Sequence, residues 1–349
     1  MKIAVLGDTH FGVRNDSEHF HAHMKKFYSE VFFPYLEENC IDKVLQVGDL
    51  FDNKKQINLK SLTLAKEYFF DVLHDRDINL YTFVGNHDSF HRNSIKINTQ
   101  ESLLFYGYSK IRAFSSPTMW AFEDLPVLIL PWICQDNYDE CMKMIDASDP
   151  NTVVFGHLEL AGFEMHRGSV VNKGMDSKIF SKFRAVYSGH YHHRSSKGNI
   201  TYLGTPYEMT WADYEDQKGF HIFDTDTLEM TFVPNPFHMF HIITYDDSKD
   251  MDIDFGLFEG AAIKLIVERR ENDTKYEQFV HKIEEQNPFK FNIIEQKTVL
   301  NMDEEEEMLD AESTLGILRK VINSSDVTVD KVELDDYLTG LYTEALYMG

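Results

Sequence analysis

Five short segments of the chain repeat one order of residues: a run of apolar positions, a glycine, and then a polar side chain able to bind a metal ion. The segments are IAVLGDTH (3–10), KVLQVGDLF (43–51), LYTFVGNHD (80–88), TVVFGH (152–157) and AVYSGHYH (185–192). Short apolar runs bounded by glycine are typical of buried strands. Because glycine allows a sharp backbone turn, we expect five strand ends to deliver their polar residues to one place.

Helical patterns separate these predicted strands. Apolar and aromatic residues recur at helical spacing over residues 20–38 and 61–74, and Ser61 is predicted to cap the second helix. After residue 200 the strand patterns TYLGTPY, GFHIFDT and LEMTFVP follow, with turn residues between them. Alternating strands and helices indicate an α/β layered fold, which the later strands close as a two-sheet sandwich. We expect this domain to span residues 1–235, up to the prolines that punctuate the chain there.

Three further segments are predicted beyond the prolines. Residues 236–302 show strand, helix and strand patterns and predict a small βαβ-like domain. Residues 303–312 begin with the acidic run DEEEE and predict a solvated linker. Residues 313–349 predict a helical hairpin, and the apolar positions of its second helix include Leu334, Tyr337, Leu338, Leu341 and Tyr342. From the residues alone, this hairpin is equally able to fold back on its own domain or to dock on another chain.

The composition limits the class of protein. A hydrophobic content of 43% and an aromatic content of 13% fit a globular chain. No apolar run reaches the roughly 18–20 residues of a membrane span, and the N-terminal apolar stretch is too short for a signal peptide. The cysteines Cys40, Cys134 and Cys141 are scattered, which predicts neither a disulfide framework nor a zinc motif. A reducing cytoplasm is therefore the expected location.

The net charge of −24 is unevenly distributed. Residues 241–349 contain 26 acidic and 11 basic residues, whereas residues 1–240 contain 32 and 23. Such a charge predicts weak non-specific attraction to DNA, strong salt sensitivity and help from a partner. It does not exclude a phosphodiester substrate, because metal ions invert the local field of the carboxylates that bind them.

The polar residues at the strand ends supply enough ligands for two metal ions. The candidate ligands are Asp8, His10, Asp49, Asn86, His157, His190 and His192. Side chains two positions apart on a strand point to the same side, so Asp8 and His10 can bind one ion, and the two oxygens of Asp49 can bridge both ions. Oxygen and nitrogen ligands without thiolate suit Mn²⁺, Fe or Zn²⁺. Two ions about 3.5–4 Å apart form a clamp for in-line attack on phosphorus, which predicts phosphate-ester hydrolysis.

Further candidate residues lie next to these ligands. His87 follows Asn86 directly and should point away from the ligand side, where it is predicted to stabilise the scissile phosphate or protonate the leaving oxygen. Asp88 is predicted to orient that imidazole. Arg194 and Lys197 are candidate DNA contacts just past the last ligand, although exposed cations more often serve solubility.

The motifs GDTH, GDLFD, GNHD, GH and GHYH, within residues 1–235, resemble those of the calcineurin-like metallophosphoesterases. Within this superfamily, LPWICQDN, GHLELAGF and LGTPYEMT look most similar to the SbcD-type DNA repair nucleases in their compact bacteriophage form. The resemblance implies a four-layer αββα fold, in which helices flank a β-sandwich, and makes His87 the catalytic histidine. It also implies two Mn²⁺ ions, one bound by Asp8, His10, Asp49 and His192, the other by Asp49, Asn86, His157 and His190. One departure is Asp52, which stands where some members carry histidine.

The same resemblance implies partners and a biological setting. It implies exonuclease action on duplex DNA ends and endonuclease action on single strands, together with a coiled-coil ATPase, in recombination, double-strand break repair or DNA degradation. A homodimer would form through residues 61–74 and about 98–106, which gives a 2:2 complex. Residues 236–302 would be a DNA-facing cap, and residues 313–349 would bind the ATPase.

Two alternative functions are weighed against this one. A phosphatase on the same fold is the first, but Ser/Thr phosphatases typically show GDxVDRG and GNHE. Here GDLFDN lacks the arginine that would bind a phosphomonoester, and the third motif ends in Asp88, which favours a diester. The second is a non-catalytic scaffold, which the presence of all seven candidate ligands and His87 argues against.

Overall fold

The computed structural model describes residues 1–104 and 107–295. Contacts divide them into two compact units: residues 1–241, 256–262 and 286–289 form the first, and residues 242–255, 263–285 and the described residues from Lys290 onward form the second. The predicted domain boundary after residue 235 stays a prediction. The predicted linker, the helical hairpin and its apolar positions from Leu334 to Tyr342 lie outside the described residues. No helix in the described part of the chain is long and apolar enough to cross a membrane.

The described elements follow one another along the chain in an α/β order. The strands are β1 (Lys2–Leu6), β2 (Lys43–Gln46), β3 (Asn79–Phe83), β4 (Ser89–His91), β5 (Ser94–Asn98), β6 (Ile111–Phe114), β7 (Thr118–Phe122), β8 (Leu125–Leu130), β9 (Val153–His157), β10 (Phe163–His166), β11 (Ser169–Val171), β12 (Ala185–Gly189), β13 (Ser195–Lys197), β14 (Ile200–Tyr202), β15 (Gly219–Asp224), β16 (Met230–Pro234), β17 (Phe240–Asp246), β18 (Ala262–Arg269) and β19 (Lys290–Glu295). The helices are α1 (Glu18–Phe27), α2 (Phe33–Glu38), α3 (Leu59–Ala65), α4 (Asp71–Asp75), α5 (Tyr138–Ala147) and α6 (Asp273–Glu284). A π-helical turn joins α1 to α2 (Tyr28–Phe32), another joins α3 to α4 (Lys66–Phe70), and a third covers Gln100–Leu104.

Two six-stranded sheets form the first unit. Their orders are β16-β15-β1-β2-β3-β6 and β13-β14-β12-β9-β8-β7. Strands β1, β2, β3 and β6 run parallel, as do β14, β12, β9 and β8, while the outer strands β15, β16, β7 and β13 pair antiparallel. Parallel neighbours end at the same edge of a sheet, so the loops that follow them are brought together.

Successive side chains of β1 point to opposite faces of the sheet and pack in two different buried clusters. Ile3 and Val5 lie in the cluster between the two sheets, whereas Ala4 and Leu6 lie in the cluster that contains the helices α1 to α4. On the far face of the second sheet, Leu128 packs with Cys141 of α5. Helices therefore cover both outer faces of a β-sandwich, and the predicted four-layer αββα fold is confirmed.

The two predicted helices are present, with one correction at a helix start. Residues 20–38 lie in α1, α2 and the π-helical turn between them, and residues 61–74 lie in α3, α4 and the π-helical turn that joins those two. The predicted cap at Ser61 is wrong. The side chain of Asn58 accepts the N–H of Lys60 instead, and the helix begins at Leu59. Leu59 is 78% exposed, so the apolar pattern gives no sign of this first turn.

The second unit is built on the three-stranded sheet β17-β18-β19 and helix α6. The predicted strand, helix and strand correspond to β18, α6 and β19, and β17 completes the sheet. Aromatic contacts hold the helix, because the ring of Tyr245 lies 5.3 Å from that of Tyr276 and 5.0 Å from that of Phe279.

Candidate metal centre

Backbone hydrogen bonds join the loops that carry the predicted ligands. The N–H groups of Thr9 and His10 donate to the carbonyl oxygen of Asp49, at 3.1 and 3.0 Å. The N–H of His190 donates to the carboxylate of Asp8 at 2.9 Å, which links the loop after β12 to the loop after β1. Loops from the two sheets are thereby held against each other at one end of the sandwich.

The first group of possible ligands consists of Asp8, His10 and His192. Their ligand atoms all lie within 4.8 Å of one another. The Nε2 atoms of His10 and His192 face each other at 3.2 Å. Two imidazole lone pairs repel at that distance unless a proton or a metal ion lies between them, so this geometry fits a cation site.

The second group consists of Asp49, His157 and His190, whose ligand atoms also lie within 4.8 Å of one another. The Oδ1 of Asn86 lies 2.8 Å from the Nε2 of His157 and 2.9 Å from the Nδ1 of His190. Asn86 thus adds a neutral oxygen to two imidazole nitrogens and a carboxylate, a donor set that suits a divalent transition metal.

Asp49 lies between the two groups. Its Oδ2 is 3.3 Å from the Nε2 of His157 and 3.8 Å from the Nε2 of His10. Its Oδ1 accepts the backbone N–H of His87 at 2.6 Å. The structure therefore brings all seven candidate ligands together at one place, with Asp49 between the two groups.

Three of these ligands have left-handed backbone conformations. The φ angles are +42° at His10, +52° at Asp49 and +87° at His190. Such conformations cost on the order of 1–3 kcal/mol each in residues other than glycine and persist only where the surroundings fix them. The loop-to-loop hydrogen bonds described above supply that constraint.

Close packing explains two of the glycines that precede candidate ligands in the motifs. A Cβ at Gly85 would lie 2.2 Å from both the backbone N and the Oδ1 of Asp49. A Cβ at Gly189 would lie 2.4 Å from the Oδ1 of Asp8. These glycines are therefore needed to leave space for the carboxylates rather than only to allow a turn.

Protons balance part of the negative charge when no ion is bound. Burial opposes the charged form of His10, but the carboxylates of Asp52 and Asp49 raise its pKa to about 9. Burial likewise opposes the charged form of His157, and Asp49 and Asp8 raise its pKa to about 9. A cluster that binds protons this strongly has the field a divalent cation needs, and the donor set fits two such ions.

The imidazole of His87 is held by a different partner from the one predicted. Its Nδ1 donates to the backbone carbonyl of Asp52 at 2.6 Å, and its ring lies 4.8 Å from that of His10. The expectation that Asp88 orients His87 is wrong in this structure. The buried Asp88 carboxylate accepts the N–H groups of Gly85 (2.8 Å) and Leu50 (2.9 Å), and so it connects the second and third motifs.

Asp52 also faces the first ligand group. Its Oδ1 lies 3.2 Å from the Nδ1 of His10, which leaves the Nε2 of that ring for an ion. A carboxylate behind a ligating histidine fixes the tautomer and orientation of the ring. The sequence marked this position only as a departure from the family, because a side chain three residues after a ligand has no fixed direction in a loop.

A buried lysine supports the segment that carries His192. Lys218 is 4% exposed, and its Nζ donates to the carbonyl oxygen of His192 and to the carboxylate of Asp216, both at 2.8 Å. It also pairs with Asp213 at 2.8 Å. A buried ammonium group needs such partners to stay charged. Sequence reasoning missed Lys218, because it lies 26 residues after His192 with no spacing motif between them.

The cations near the site are placed differently from one another. The exposed Arg194 stacks over the ring of Phe232 at 4.1 Å, and Lys197 is also exposed. Lys54 is partly buried: burial lowers its pKa, while the charge of Asp49 opposes that shift and the charge of Arg92 adds to it. Lys54 follows the second motif by two residues, a signal that sequence reasoning did not use.

Comparison with known proteins agrees with this geometry. Residues 1–194 match the calcineurin-like phosphoesterase family. The chain therefore belongs to the calcineurin-like phosphoesterases, and it is a metal-dependent phosphoesterase. The resemblance seen in its motifs is confirmed.

The similarity to one relative covers almost the whole chain. The chain is 31% identical over 348 residues to exonuclease subunit 1 of Enterobacteria phage T4, which covers 99% of both proteins. It is 25% identical over 213 residues to the putative phosphoesterase 078R of Invertebrate iridescent virus 3, which covers 59% of this chain and 57% of that protein. A solved archaeal phosphodiesterase matches 67% of this chain and all of its own at 14% identity and a TM-score of 0.33, a likeness that supports no conclusion.

Replacing Gly85 by alanine should weaken metal binding. The added Cβ has to displace Asp49, so we expect the affinity for Mn²⁺ to fall about 10–100-fold, the loss typical of disturbed metal-site geometry. Titration calorimetry measures it. Gly107→Ala is the matched control, because a Cβ there meets no atom within 4 Å. Equal affinities in the two variants would contradict the packing argument.

Metal binding should release protons near neutral pH. With pKa values of about 9, His10 and His157 are protonated at pH 7 in the metal-free chain, and an ion has to displace those protons. The apparent affinity for Mn²⁺ should therefore rise as the pH increases from 7 to 9. Calorimetry in two buffers with different heats of ionisation counts the released protons, and a pH-independent affinity with no release would overturn this prediction.

Proposed function

We propose that the chain is the nuclease subunit of a DNA-processing complex and hydrolyses phosphodiester bonds with two Mn²⁺ ions. One observation carries the proposal: two groups of possible ligands lie on either side of Asp49, next to the imidazole of His87. The full-length similarity to a protein named as an exonuclease subunit supports DNA as the substrate. The proposed actions are exonuclease activity on duplex ends and endonuclease activity on single strands, in the host cytoplasm.

The proposed assignment of residues to each of the two ions follows from the donor set. Asp8, His10, Asp49 and His192 would hold one ion, and Asp49, Asn86, His157 and His190 would hold the other. Two ions in such a site supply an activated water and neutralise charge on the departing oxygen. The protein's own contribution is to fix the ligands before the substrate arrives, through the glycine contacts and the backing groups of Asp52, Asp88 and Lys218.

His87 is proposed to act on the substrate directly. Because its Nδ1 donates to the carbonyl of Asp52, its Nε2 is the atom left to meet the scissile phosphate. Burial lowers the pKa of His87, and the charge of Asp49 opposes that shift. A phosphate bound beside the ring would favour the protonated form, which donates to a phosphate oxygen or to the leaving oxygen.

A diester fits the second motif better than a monoester does. Asn53 follows Asp52 at the position where Ser/Thr phosphatases have a phosphate-binding arginine. Lys54 and Arg92, together with Arg194 and Lys197, are the proposed contacts to the DNA backbone. These few cations agree with the negative net charge in predicting salt-sensitive binding.

A coiled-coil ATPase and a second copy of the chain are the proposed partners. The relative from phage T4 is named as a subunit, which supports an assembly. Residues 61–74 and 98–106 are the proposed homodimer surface, in a 2:2 complex, and residues 236–302 are proposed to face DNA. Residues 313–349 are the proposed ATPase-binding segment, through Leu334, Tyr337, Leu338, Leu341 and Tyr342.

The activity and the role of His87 are tested together. With Mn²⁺, the protein should degrade linear DNA and barely hydrolyse a phosphomonoester dye. His87→Ala should keep its bound metal and lose at least about 100-fold in rate, since general acid–base groups contribute about 10²–10⁴-fold. Asp49→Ala should lose both metal and activity.

Quenched nuclease assays and metal analysis of the same samples compare the cleavage rate with the bound metal in each variant. His19→Ala, at an exposed position, is the control that keeps both its metal and its activity. Strong hydrolysis of the dye with intact DNA would reject the nuclease function. Wild-type DNA cleavage by His87→Ala would reject only the role of that residue.

The partner contact is tested by removing residues 313–349. The shortened chain should no longer co-purify with the co-expressed coiled-coil ATPase, while its Mn²⁺ affinity stays the same. Leu338→Asp with Leu341→Asp should have the same effect, because charged groups cannot be buried in an apolar contact without a large cost. Asp335→Asn, on the polar side of the same predicted helix, is the matched control. Co-purification of the shortened chain would disprove the assignment.

A further inference from the structure

A tryptophan outside the predicted site lies beside the second ligand group. The ring centroid of Trp132 is 5.3 Å from that of His190 and 6.2 Å from that of His157. Its side chain is partly exposed, and no described residue accepts a hydrogen bond from its indole N–H. A tryptophan N–H usually finds a partner when it is buried, so this group is left available to a ligand next to the candidate metal centre.

The position of Trp132 is fixed before any substrate binds. Its backbone N–H donates to the carbonyl of Val84 at 2.7 Å, and its carbonyl accepts the Asn137 side chain at 3.0 Å. Its ring packs against the small cluster of Val84, Ile95 and Cys134. Holding a large aromatic group in one place reduces the entropy that binding would otherwise cost.

A partly buried cation acts on the same ligands. The charge of Lys54 acts on Asp49 and on His190, the ring that Trp132 contacts. Proteins that hold single-stranded nucleic acid combine such cations, which bind the backbone, with aromatic rings on which bases stack. The site therefore has an aromatic ring next to the candidate ligands and a cation whose charge acts on them.

We propose that Trp132 binds a nucleotide by stacking on the base that adjoins the scissile phosphate. A base within an intact duplex is covered on both faces, whereas an unpaired base exposes a face at little cost. The preferred substrate is then a nucleotide already separated from its complement, at a frayed end or in a single strand. This inference rests on the proposed nuclease function and specifies the substrate of the same site.

The test uses two DNA substrates that differ in one base. Both are single-stranded oligonucleotides of one sequence, and in the second an abasic tetrahydrofuran replaces the nucleotide beside the cleaved bond. For the wild-type protein with Mn²⁺, kcat/KM should be about tenfold or more higher with the base present, as expected for one stacked base. Trp132→Phe should keep most of that ratio, and Trp132→Leu should bring it close to one.

Two controls separate stacking from packing. Trp132→Leu fills the space against His190 without an aromatic face, and its Mn²⁺ affinity by calorimetry should match the wild type. Trp120→Leu removes a tryptophan from β7, and it should leave the ratio unchanged. A base analogue, 2-aminopurine, at the same position gives a second signal: its fluorescence should be quenched by the wild type in EDTA and not by Trp132→Leu.

The outcomes are distinct. If the tenfold ratio of kcat/KM between the two oligonucleotides persisted in Trp132→Leu, the stacking role would be overturned and the nuclease function would stand. A wild-type ratio near one would have the same meaning. Loss of Mn²⁺ binding in both Trp132→Leu and Trp132→Phe would show that the residue only supports His190. Wild-type protein that binds Mn²⁺ but cleaves neither oligonucleotide would reject the proposed function itself, and the stacking proposal with it.

Discussion

The rest of the site depends on the Asp49 carboxylate and the groups that meet around it. The backbone carbonyl oxygen of Asp49 accepts hydrogen bonds from the first motif. In its side chain, Oδ1 accepts one from the third motif and Oδ2 faces the histidine of the fourth. The residue is 2% exposed and adopts a left-handed conformation. A buried charge in a strained backbone is stable only when its surroundings compensate it on every side, so four separate segments of the chain must assemble for this residue to be tolerated.

Three further groups fix the positions of the segments around Asp49, and one of them, Lys218, lies outside the sequence motifs. Asp88 fixes the backbone of two loops, Asp52 backs His10 and His87, and Lys218 holds the carbonyl of His192. Each of them contacts a candidate ligand or the segment that carries it. The result is a site whose geometry is set by the folded chain in advance, which is the condition for electrostatic stabilisation of a transition state without reorganisation.

The convergence of the candidate ligands was predictable from sequence because each follows a glycine at the end of an apolar strand, and parallel strands end at the same edge. The layered fold followed from the same alternation, as the separation of Ile3 from Ala4 shows. Prediction from local sequence patterns failed where contacts between distant segments determine the structure. The contact of Asp88 with Leu50 and the positions of Lys218 and Trp132 depend on segments far apart in the chain, and no periodicity encodes them. The cap at Asn58 is a local contact, but the exposed Leu59 that follows it breaks the apolar pattern.

The facing nitrogens of His10 and His192 connect metal supply to the lifetime of the chain. An ion that binds the folded state and not the unfolded chain shifts the folding equilibrium by mass action. Without the ion, only bound protons offset the repulsion between the two rings and the repulsion among the buried carboxylates. A chain synthesised where free divalent metal is scarce would therefore open more often and become accessible to proteases sooner. In this way the abundance of the protein, and not only its turnover rate, would follow the metal content of the cell.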